Sequence, residues 1–408
     1  MPSSENHQVT FLITEPLTRK LEANLGLEYF KGLQISINII DISKIYYPKS
    51  DLVFSARYQD ESSTIINKLN INYLHNIETY SSLQQIIDQL QLPDRSIIFL
   101  YCSMSGLPFI TLLHSLQKQF AFFRYASTIP LDLPGGSYYL WTSWPQIVKS
   151  LKIFIKKIVL KIASFATPKL DLLYLASDQM AKNVSHLIGP NTQVEIVGNS
   201  DCISSRKDFI PLLDDSYILY LDSGISDCID YDLFGMAGNI DSEKYYDALI
   251  KYLTSVSKIF KKEIVIAAHP ASSFFSGQSG KFLDIKYFKF KTAQLSSHAS
   301  FILADYPTNS IISSIIQNKP IYLFSFNNLI REYKMKNWHY RFFIALENKL
   351  GKKFISVDEM SESEIERSIR DEIQNLLSYP DFVLNILGGF NSQTLAMGEH
   401  LVGLIQED

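Results

Sequence analysis

The chain has 408 residues, of which 46% are hydrophobic and 20% are charged, and its formal net charge is −4. This length predicts two domains of roughly 150 to 200 residues each, with the composition of a soluble globular protein. The net negative charge disfavours nucleic acid as a main partner, because binding to a phosphate backbone needs a basic surface.

The first half of the chain alternates short apolar strands with helical segments. Strands are predicted at residues 9–13, 34–40, 96–101 and 120–125, and helices at 17–25 and 106–119. This alternation indicates βαβ units and a parallel sheet. We therefore assign residues 1–200 to an N-terminal Rossmann-like domain.

A basic amphipathic segment lies within this half, at residues 147–162. Its apolar side chains fall on one helical face, and lysines fall mainly on the other: Lys149, Lys152, Lys156 and Lys157. Trp141 and Trp144 lie just upstream. Lysines opposite an apolar stripe, with aromatic residues beside them, are typical of a helix in a bilayer interface, so 138–162 is a predicted peripheral membrane contact. The alternative is a surface helix that packs on the protein core with solvated lysines.

A second alternating series follows the polar stretch 198–207, which we interpret as a linker. Strands are predicted at 216–221, 263–268, 301–304 and 320–324, and helices at 242–260, 292–297 and 310–317. The series predicts a second Rossmann-like domain over residues 208–380. Residues 381–408 are expected to form a helix that crosses back to the first domain. The predicted fold class is therefore α/β, with two Rossmann-like domains facing across a cleft.

Polar residues follow two strands of the second series. Strand 263–268 ends at His269 and Pro270, and strand 301–304 leads to a helix start at Thr308, Asn309 and Ser310. Free N–H groups at a helix start favour negative charge, and an imidazole can donate to a phosphate, so these residues predict an anion site. The alternatives are an ordinary helix cap and a histidine that satisfies a nearby carbonyl group.

A carboxylate, Asp222, ends strand 216–221 and is followed by Ser223 and Gly224, with Asp230 farther on. A carboxylate at such a strand end could act as a general base or as a nucleophile, supported by its neighbours. Asp-Ser-Gly is also good turn chemistry. Lys291 lies between the two halves of the site and could neutralise a phosphate. No spacing typical of metal ligands is present.

Residues 217–325 carry a resemblance, through LYLDSGISDCIDYD, EIVIAAHP and ASFILADYPTNSIISSIIQNKPIYLF. Their order resembles a bacterial surface-carbohydrate glycosyltransferase family of the GT-B type, whose members use CMP-activated acidic sugars to build lipopolysaccharide or capsule. The resemblance implies that His269 and Pro270 contact CMP, that the helix start at 308–310 holds its phosphate, and that Asp222 is catalytic. It differs where the family often has a second acidic residue, because Ser223 follows Asp222 here.

The resemblance implies transfer of a Kdo-like or sialic-acid-like sugar from a CMP donor to a surface glycan or lipid-linked acceptor bound by the first domain. It implies neither a cofactor nor a metal. Three alternatives stay open: a transferase that uses a UDP- or GDP-sugar, one that uses a CDP-polyol, and a non-catalytic nucleotide- or glycan-binding protein of polysaccharide assembly.

Other sequence signals bear on enzyme class and location. No GxGxxG follows the first strand and no GxSxG is present, which disfavours a Rossmann dehydrogenase and a serine hydrolase. We find neither a signal-peptide pattern nor an apolar run of about 18 residues. Three widely spaced cysteines show no zinc or disulfide pattern and fit a reducing compartment, so the expected location is the cytoplasm, at the inner face of the inner membrane.

Overall fold

The structure is a computed structural model. It describes residues 8–14, 16–33, 35–46, 69, 71–90, 97–101, 120–124, 169–175, 181, 185, 188–197, 205, 209–214, 216–225, 240–269, 272, 285–308, 310–329, 339–374 and 397–407. The predicted helix 106–119, the predicted membrane contact 138–162 with its tryptophans and lysines, and most of the predicted linker lie outside the described residues.

The first domain contains a seven-stranded sheet. Its strands are β1 (Gln8–Ile13), β2 (Ser36–Asp41), β3 (Asn72–Leu74), β4 (Ile97–Tyr101), β5 (Phe120–Arg124), β6 (Leu172–Leu175) and β7 (Gln193–Ile196). They are parallel and follow the order β3-β2-β1-β4-β5-β6-β7. The strands predicted for this half are confirmed as β1, β2, β4 and β5, whereas β3, β6 and β7 were not predicted.

Short helices accompany this sheet: α1 (Arg19–Leu25), a 3-10 helix (Leu27–Phe30), α2 (Ser43–Tyr46) and α3 (Tyr80–Gln89). Helix α1 begins after Thr18, which caps it: the Thr18 side chain accepts a hydrogen bond from the Leu21 N–H at 3.1 Å. It ends at Gly26, whose φ of 64° lies in the left-handed region that glycine adopts without strain.

The second domain contains a six-stranded sheet. Its strands are β8 (Ile218–Leu221), β9 (Ile264–Ala268), β10 (Lys286–Lys289), β11 (Phe301–Ala304), β12 (Ile321–Ser325) and β13 (Ile355–Ser356). They are parallel, in the order β10-β9-β8-β11-β12-β13. The helices are α4 (Ser242–Phe260), α5 (Thr292–His298), α6 (Ile311–Ile316), α7 (His339–Leu350) and α8 (Glu362–Gln374).

Both faces of the second sheet are covered. Alternate residues of β8, such as Tyr220, pack with α4 and α8 in one cluster, while Leu219 packs with α5, α6 and α7 in another. Because helices cover both faces of the sheet, the side chains on both sides of these strands are buried, and the strands are nearly continuous apolar runs. Helix α4 has the bounds predicted from its periodicity, and the Asp241 side chain caps it by accepting from the Lys244 N–H at 3.2 Å.

The last described helix, α9 (Met397–Glu407), packs against α1 and the 3-10 helix of the first domain. Met397 and Leu401 are buried in a core cluster of that domain. The backbones of Gly26 and Gly398 touch, since a Cβ added at Gly398 would lie 2.4 Å from the Gly26 carbonyl oxygen. Among the described residues, no helix is long and apolar enough to span a bilayer. The domain boundaries at 200, 208 and 380 stay a prediction.

Candidate functional site

The candidate site lies at the carboxyl edge of the second sheet. From β8 the chain first builds outward through β9 and β10, and then returns to the other side of β8 to add β11, β12 and β13. The reversal between β8 and β11 is a topological switch point, where ligands bind in open α/β sheets. Asp222, His269 and Asp305 directly follow β8, β9 and β11. Asp222 and His269 thus lie at the carboxyl ends of neighbouring strands, as the sequence predicted.

Asp222 is a buried carboxylate whose two oxygens accept hydrogen bonds from backbone N–H groups. Its Oδ1 accepts from Gly224 at 3.0 Å, and its Oδ2 accepts from His269 at 2.8 Å. Its own N–H donates to the Ala267 carbonyl at 3.0 Å. Charge-assisted bonds of this kind are stronger than those between neutral groups. Asp222 therefore fixes the end of β9, and with it the backbone position of His269.

The turn after Asp222 leaves a hydroxyl group inside the edge of the sheet. Gly224 has a φ of 60°, in the left-handed region, which brings its N–H back to the Asp222 carboxylate. Ser223 is buried, and its Oγ makes no hydrogen bond to any described residue. The hydroxyl is thus enclosed within the edge of the sheet. Asp230, the other predicted supporting residue, lies outside the described residues.

The segment after β9 is held by a lysine, Lys289, whose contact the sequence did not predict. The His269 carbonyl accepts from the Ser272 N–H at 3.0 Å, and Lys289 Nζ donates to the Ser272 carbonyl at 3.2 Å. Lys291 is exposed at the start of α5, beyond the end of β10. The register pairs Lys289 with Ala268, so Lys291 is on the same edge as His269. Pro270 lies outside the described residues.

The helix start after β11 is short. Helix α6 has 6 residues, and its N-cap residue, Ser310, makes no side-chain cap hydrogen bond. Thr308 serves the turn instead, because its carbonyl accepts from the Ile311 N–H at 3.2 Å and its Oγ1 accepts from the Ser310 N–H at 3.4 Å. Asn309 lies outside the described residues. Binding of phosphate at 308–310 stays a prediction.

Two residues that precede this helix start were missed as structural determinants. Asp305 is buried and accepts a hydrogen bond from the Tyr245 hydroxyl of α4. Tyr306 is buried and meets the Phe343 ring edge-on, with centroids 5.2 Å apart. The Asp-Tyr-Pro sequence after a strand was a signal for a special turn, but Tyr245 lies 60 residues earlier and no local pattern links it to Asp305.

A polar cavity of about 430 Å³ lies at the carboxyl ends of β12 and β13. Two of the carboxylates that line it accept hydrogen bonds from the surrounding loops. Asp358 accepts from the Ser356 hydroxyl at 2.8 Å, and Glu364 accepts from the Ser361 N–H at 2.8 Å. The cavity extends the polar edge of the sheet beyond the switch point.

The first domain also has a buried carboxylate at the carboxyl end of a strand. Asp41 ends β2; its Oδ1 accepts from the Ser43 N–H at 2.8 Å and its Oδ2 accepts from the Tyr73 hydroxyl at 3.0 Å. Burial raises the pKa of Tyr73 above its ordinary value, and the negative charge of Asp41 raises it further. The exposed His75 stacks on the Tyr73 ring, with centroids 5.4 Å apart.

Comparisons with known proteins bear on the fold. No protein-family model and no curated protein matches the sequence. Among solved structures, the chain is similar to the wall teichoic acid polymerase TagF, with a TM-score of 0.53 and 9% identity over 99% of this chain and 89% of that one. A single-substitution variant of TagF gives a TM-score of 0.51 and 10% identity over 98% and 89%. The fold is α/β, with two Rossmann-like domains of the GT-B type.

Proposed function

We propose that the chain is a glycosyltransferase that binds a nucleotide-activated sugar at the switch point of its second domain. The observation that carries the proposal is the gathering of Asp222, His269 and the 305–310 segment on one edge of a parallel sheet, at the place where strand order reverses. At this edge the Asp222 carboxylate fixes the backbone of His269 by accepting its N–H at 2.8 Å.

The donor in this proposal is a CMP-activated acidic sugar, of the Kdo or sialic-acid-like class. The resemblance carried by residues 217–325 supports this choice. The His269 imidazole, the Lys291 ammonium and the helix start at 308–310 would contact the CMP phosphate. CMP leaves as a phosphate monoester, so groups that stabilise its charge lower the barrier, and no step of this scheme needs a metal.

Asp222 has two distinguishable roles in the proposal. The sequence predicts a base that takes a proton from the acceptor hydroxyl, or a nucleophile. The hydrogen bonds to both carboxylate oxygens favour a positioning role, because proton transfer to either oxygen would weaken a bond that holds Gly224 or His269. A base alone controls turnover, whereas a positioning carboxylate controls nucleotide affinity as well. The two roles therefore differ in which measured quantity an Asp222 variant changes.

The acceptor in this proposal is a glycan or a lipid-linked glycan that binds to the first domain. The structurally similar TagF is a wall teichoic acid polymerase, and a surface polymer as acceptor is compatible with that similarity. Residues 138–162 would bring the protein to the inner face of the membrane.

Co-sedimentation with liposomes tests this contact, and we expect binding only when anionic lipid is present. Equal, negligible binding to anionic and neutral liposomes would remove the membrane from the proposal.

Titration calorimetry with CMP, CDP, UDP and GDP tests the donor class directly. We expect CMP to bind most tightly, and His269→Ala to weaken it, because this change removes the imidazole but keeps the backbone N–H that Asp222 holds. Release of CMP from a CMP-linked acidic sugar, with and without a glycan acceptor, then tests transfer. Preference for UDP, GDP or CDP would replace the CMP donor with one of the alternatives. Absence of binding to all four nucleotides would overturn the proposal.

A second candidate function is nucleotide binding without catalysis, within a polysaccharide assembly complex. It is favoured by one observation: Asp222 is engaged by backbone groups, and Ser223 stands where the similar family often has a second acidic residue. CMP binding without donor hydrolysis or transfer would favour this candidate over the enzyme.

A further inference from the structure

The second buried carboxylate of the site, Asp305, lies beside the first. The β8–β11 register pairs Leu221 with Ala304, and the next residues on the two strands are Asp222 and Asp305. Each of these aspartates has only 3% of its surface exposed. Their position at the switch point means that each begins one of the loops that face the proposed nucleotide.

Asp305 is held by a hydroxyl group of a helix that is distant in sequence. Tyr245 is in the first turn of α4, and its hydroxyl donates to Asp305 Oδ2. Two aromatic contacts fix the Tyr245 ring: Tyr246 lies 5.3 Å away and Phe326 6.0 Å away, both edge-on. A hydroxyl on a ring packed in this way has a defined position. Tyr245 therefore holds the Asp305 carboxylate in one place.

Tyr220 completes a buried cluster beneath the same edge. It is fully buried in β8, and burial raises its pKa well above the ordinary value. The negative charge of Asp305, the neighbouring Tyr245 and the negative charge of Asp222 raise this pKa further. The paired ends of β8 and β11 bring Asp222 and Asp305 together, and the Tyr245 hydroxyl reaches Asp305 from α4. The loop after β8 and the loop after β11 thus share one polar cluster.

Stability alone does not account for this cluster. A buried carboxylate is costly to desolvate, and apolar side chains of similar volume are often equally stable or more stable in such positions. What such a cluster can add is a defined geometry, here through the hydrogen bond from Tyr245 to Asp305. Asp305 is held by Tyr245, and the adjacent Tyr306 is packed on Phe343, so the chain enters the 307–310 segment from a fixed point.

We infer that Tyr245, acting through Asp305, is a positioning residue that sets the start of the loop after β11, at the edge of the sheet where the nucleotide is proposed to bind. This inference rests on the proposed nucleotide site. Asp222 performs the corresponding task for the His269 loop, so the two loops of the site are each fixed by a buried carboxylate.

Tyr245→Phe tests the inference, because it removes one hydroxyl and keeps the ring. The matched control is Tyr252→Phe, in the same helix and core cluster; its buried hydroxyl makes no hydrogen bond to any described residue. Titration calorimetry gives the CMP dissociation constant of the full chain, and hydrogen exchange gives the protection of residues 305–316. We expect Tyr245→Phe to raise the dissociation constant about tenfold. Exchange in 305–316 should become faster, while exchange in β9 stays unchanged.

Tyr252→Phe should change neither quantity. Asp305→Leu, which keeps the side-chain shape but cannot accept a hydrogen bond, should weaken CMP binding and speed exchange in 305–316 as Tyr245→Phe does, and it serves if Tyr245→Phe folds poorly. Equal CMP affinity and equal exchange in the wild type and the Tyr245 and Asp305 variants would overturn the inference. If the wild type binds none of CMP, CDP, UDP or GDP, the proposed function and the positioning role both fail. Faster exchange in the Tyr245 variant would then show a purely structural hydrogen bond.

Discussion

In both domains a tyrosine hydroxyl donates to an aspartate carboxylate at the carboxyl edge of the sheet, but the two pairs differ in how deeply they are buried. In the first domain the Asp41 carboxylate accepts from a half-buried tyrosine, Tyr73, which stacks on an exposed histidine. In the second domain Asp305 accepts from Tyr245, which has only 1% of its surface exposed. The second domain adds Asp222, whose carboxylate joins the ends of β8 and β9.

This difference is compatible with the proposed roles of the two domains, nucleotide binding in the second and acceptor binding in the first. The enclosed cluster of the second domain fixes backbone loops, as a site for a small, charged nucleotide requires. The pair in the first domain leaves an aromatic surface open to a larger partner, which fits the proposed acceptor. The first domain also depends on the end of the chain, because α9 supplies Met397 and Leu401 to its core. Variants matched between the domains can test each part of this contrast.

The largest expected effect follows from Asp222→Asn. The substitution places an amide N–H₂ where one carboxylate oxygen accepts a backbone N–H, so the turn at Gly224 or the backbone of His269 loses its partner. We expect turnover of the CMP donor to fall by about 100-fold, equivalent to roughly 3 kcal/mol for hydrogen bonds to a charged group. CMP affinity should fall as well.

The matched change in the first domain is Asp41→Asn, which should leave CMP affinity unchanged. Turnover assays and calorimetry on both variants separate the possibilities. Loss of turnover with full CMP affinity in Asp222→Asn would assign Asp222 the role of base or nucleophile, and would remove the positioning role that its contacts favour.

The next effect concerns the dependence of the first domain on α9. At Gly398 a Cβ would meet the backbone of Gly26 at 2.4 to 2.8 Å, and a backbone cannot move aside as a flexible side chain can. Gly398→Ala should therefore destabilise the protein by about 2 to 3 kcal/mol, as overpacking does.

Gly403→Ala is the matched control in the same helix, because a Cβ there meets nothing within 4 Å. It should stabilise α9 by up to about 1 kcal/mol through helix propensity. Chemical denaturation of both variants provides the measurement. Equal stability of the two variants would mean that the contact between Gly26 and Gly398 is not close in solution.

A smaller effect is expected for Tyr73→Phe. It removes the hydroxyl that donates to Asp41, and should lower the free energy of unfolding by about 1 kcal/mol. CMP affinity should stay within about twofold of the wild type, in contrast to Tyr245→Phe. Calorimetry on the two tyrosine variants tests this contrast. If Tyr73→Phe weakens CMP as strongly as Tyr245→Phe, the nucleotide site is not confined to the second domain.

The smallest expected effect concerns the pH dependence of the free energy of unfolding, and it does not appear at neutral pH. Burial raises the pKa of Tyr217 to about 12, and those of Tyr220, Tyr245 and Tyr252 are also raised. An unfolded tyrosine loses its proton near pH 10 while these stay protonated in the folded state. Their contribution to stability is thus complete below about pH 10 and falls as the pH rises from there through the folded-state pKa, which for Tyr217 is about 12. Denaturation midpoints measured from pH 8 to 11 should be flat and then fall; a constant midpoint would contradict the burial of these hydroxyls.

Sequence patterns predicted the long or strongly apolar elements. The bounds of α4 follow from its buried stripe and the Asp241 cap, and β8, β9, β11 and β12 are apolar because both sheet faces are covered. Strand β10 was missed because it is an edge strand with exposed Lys286 and Tyr287, so it carries no apolar run.

Some contacts of the candidate site could likewise be predicted from the sequence, and others could not. Asp222 and His269 could be predicted because strand ends of a parallel sheet meet on one edge. The Tyr245–Asp305 hydrogen bond could not, since it joins residues 60 apart and depends on how α4 packs across the sheet. The role of Lys289 was equally hidden, because its contact to Ser272 depends on the β9–β10 register.

A crystal structure of the full chain with CMP bound tests the central claim most directly. We predict that the phosphate lies at the carboxyl edge of the second sheet, with an oxygen within hydrogen-bond distance of the His269 imidazole and of a backbone N–H in 308–310. Asp222 should still accept from the His269 N–H. CMP bound instead at the first sheet, or in the cavity beside Asn327 and Asp358, would contradict the account.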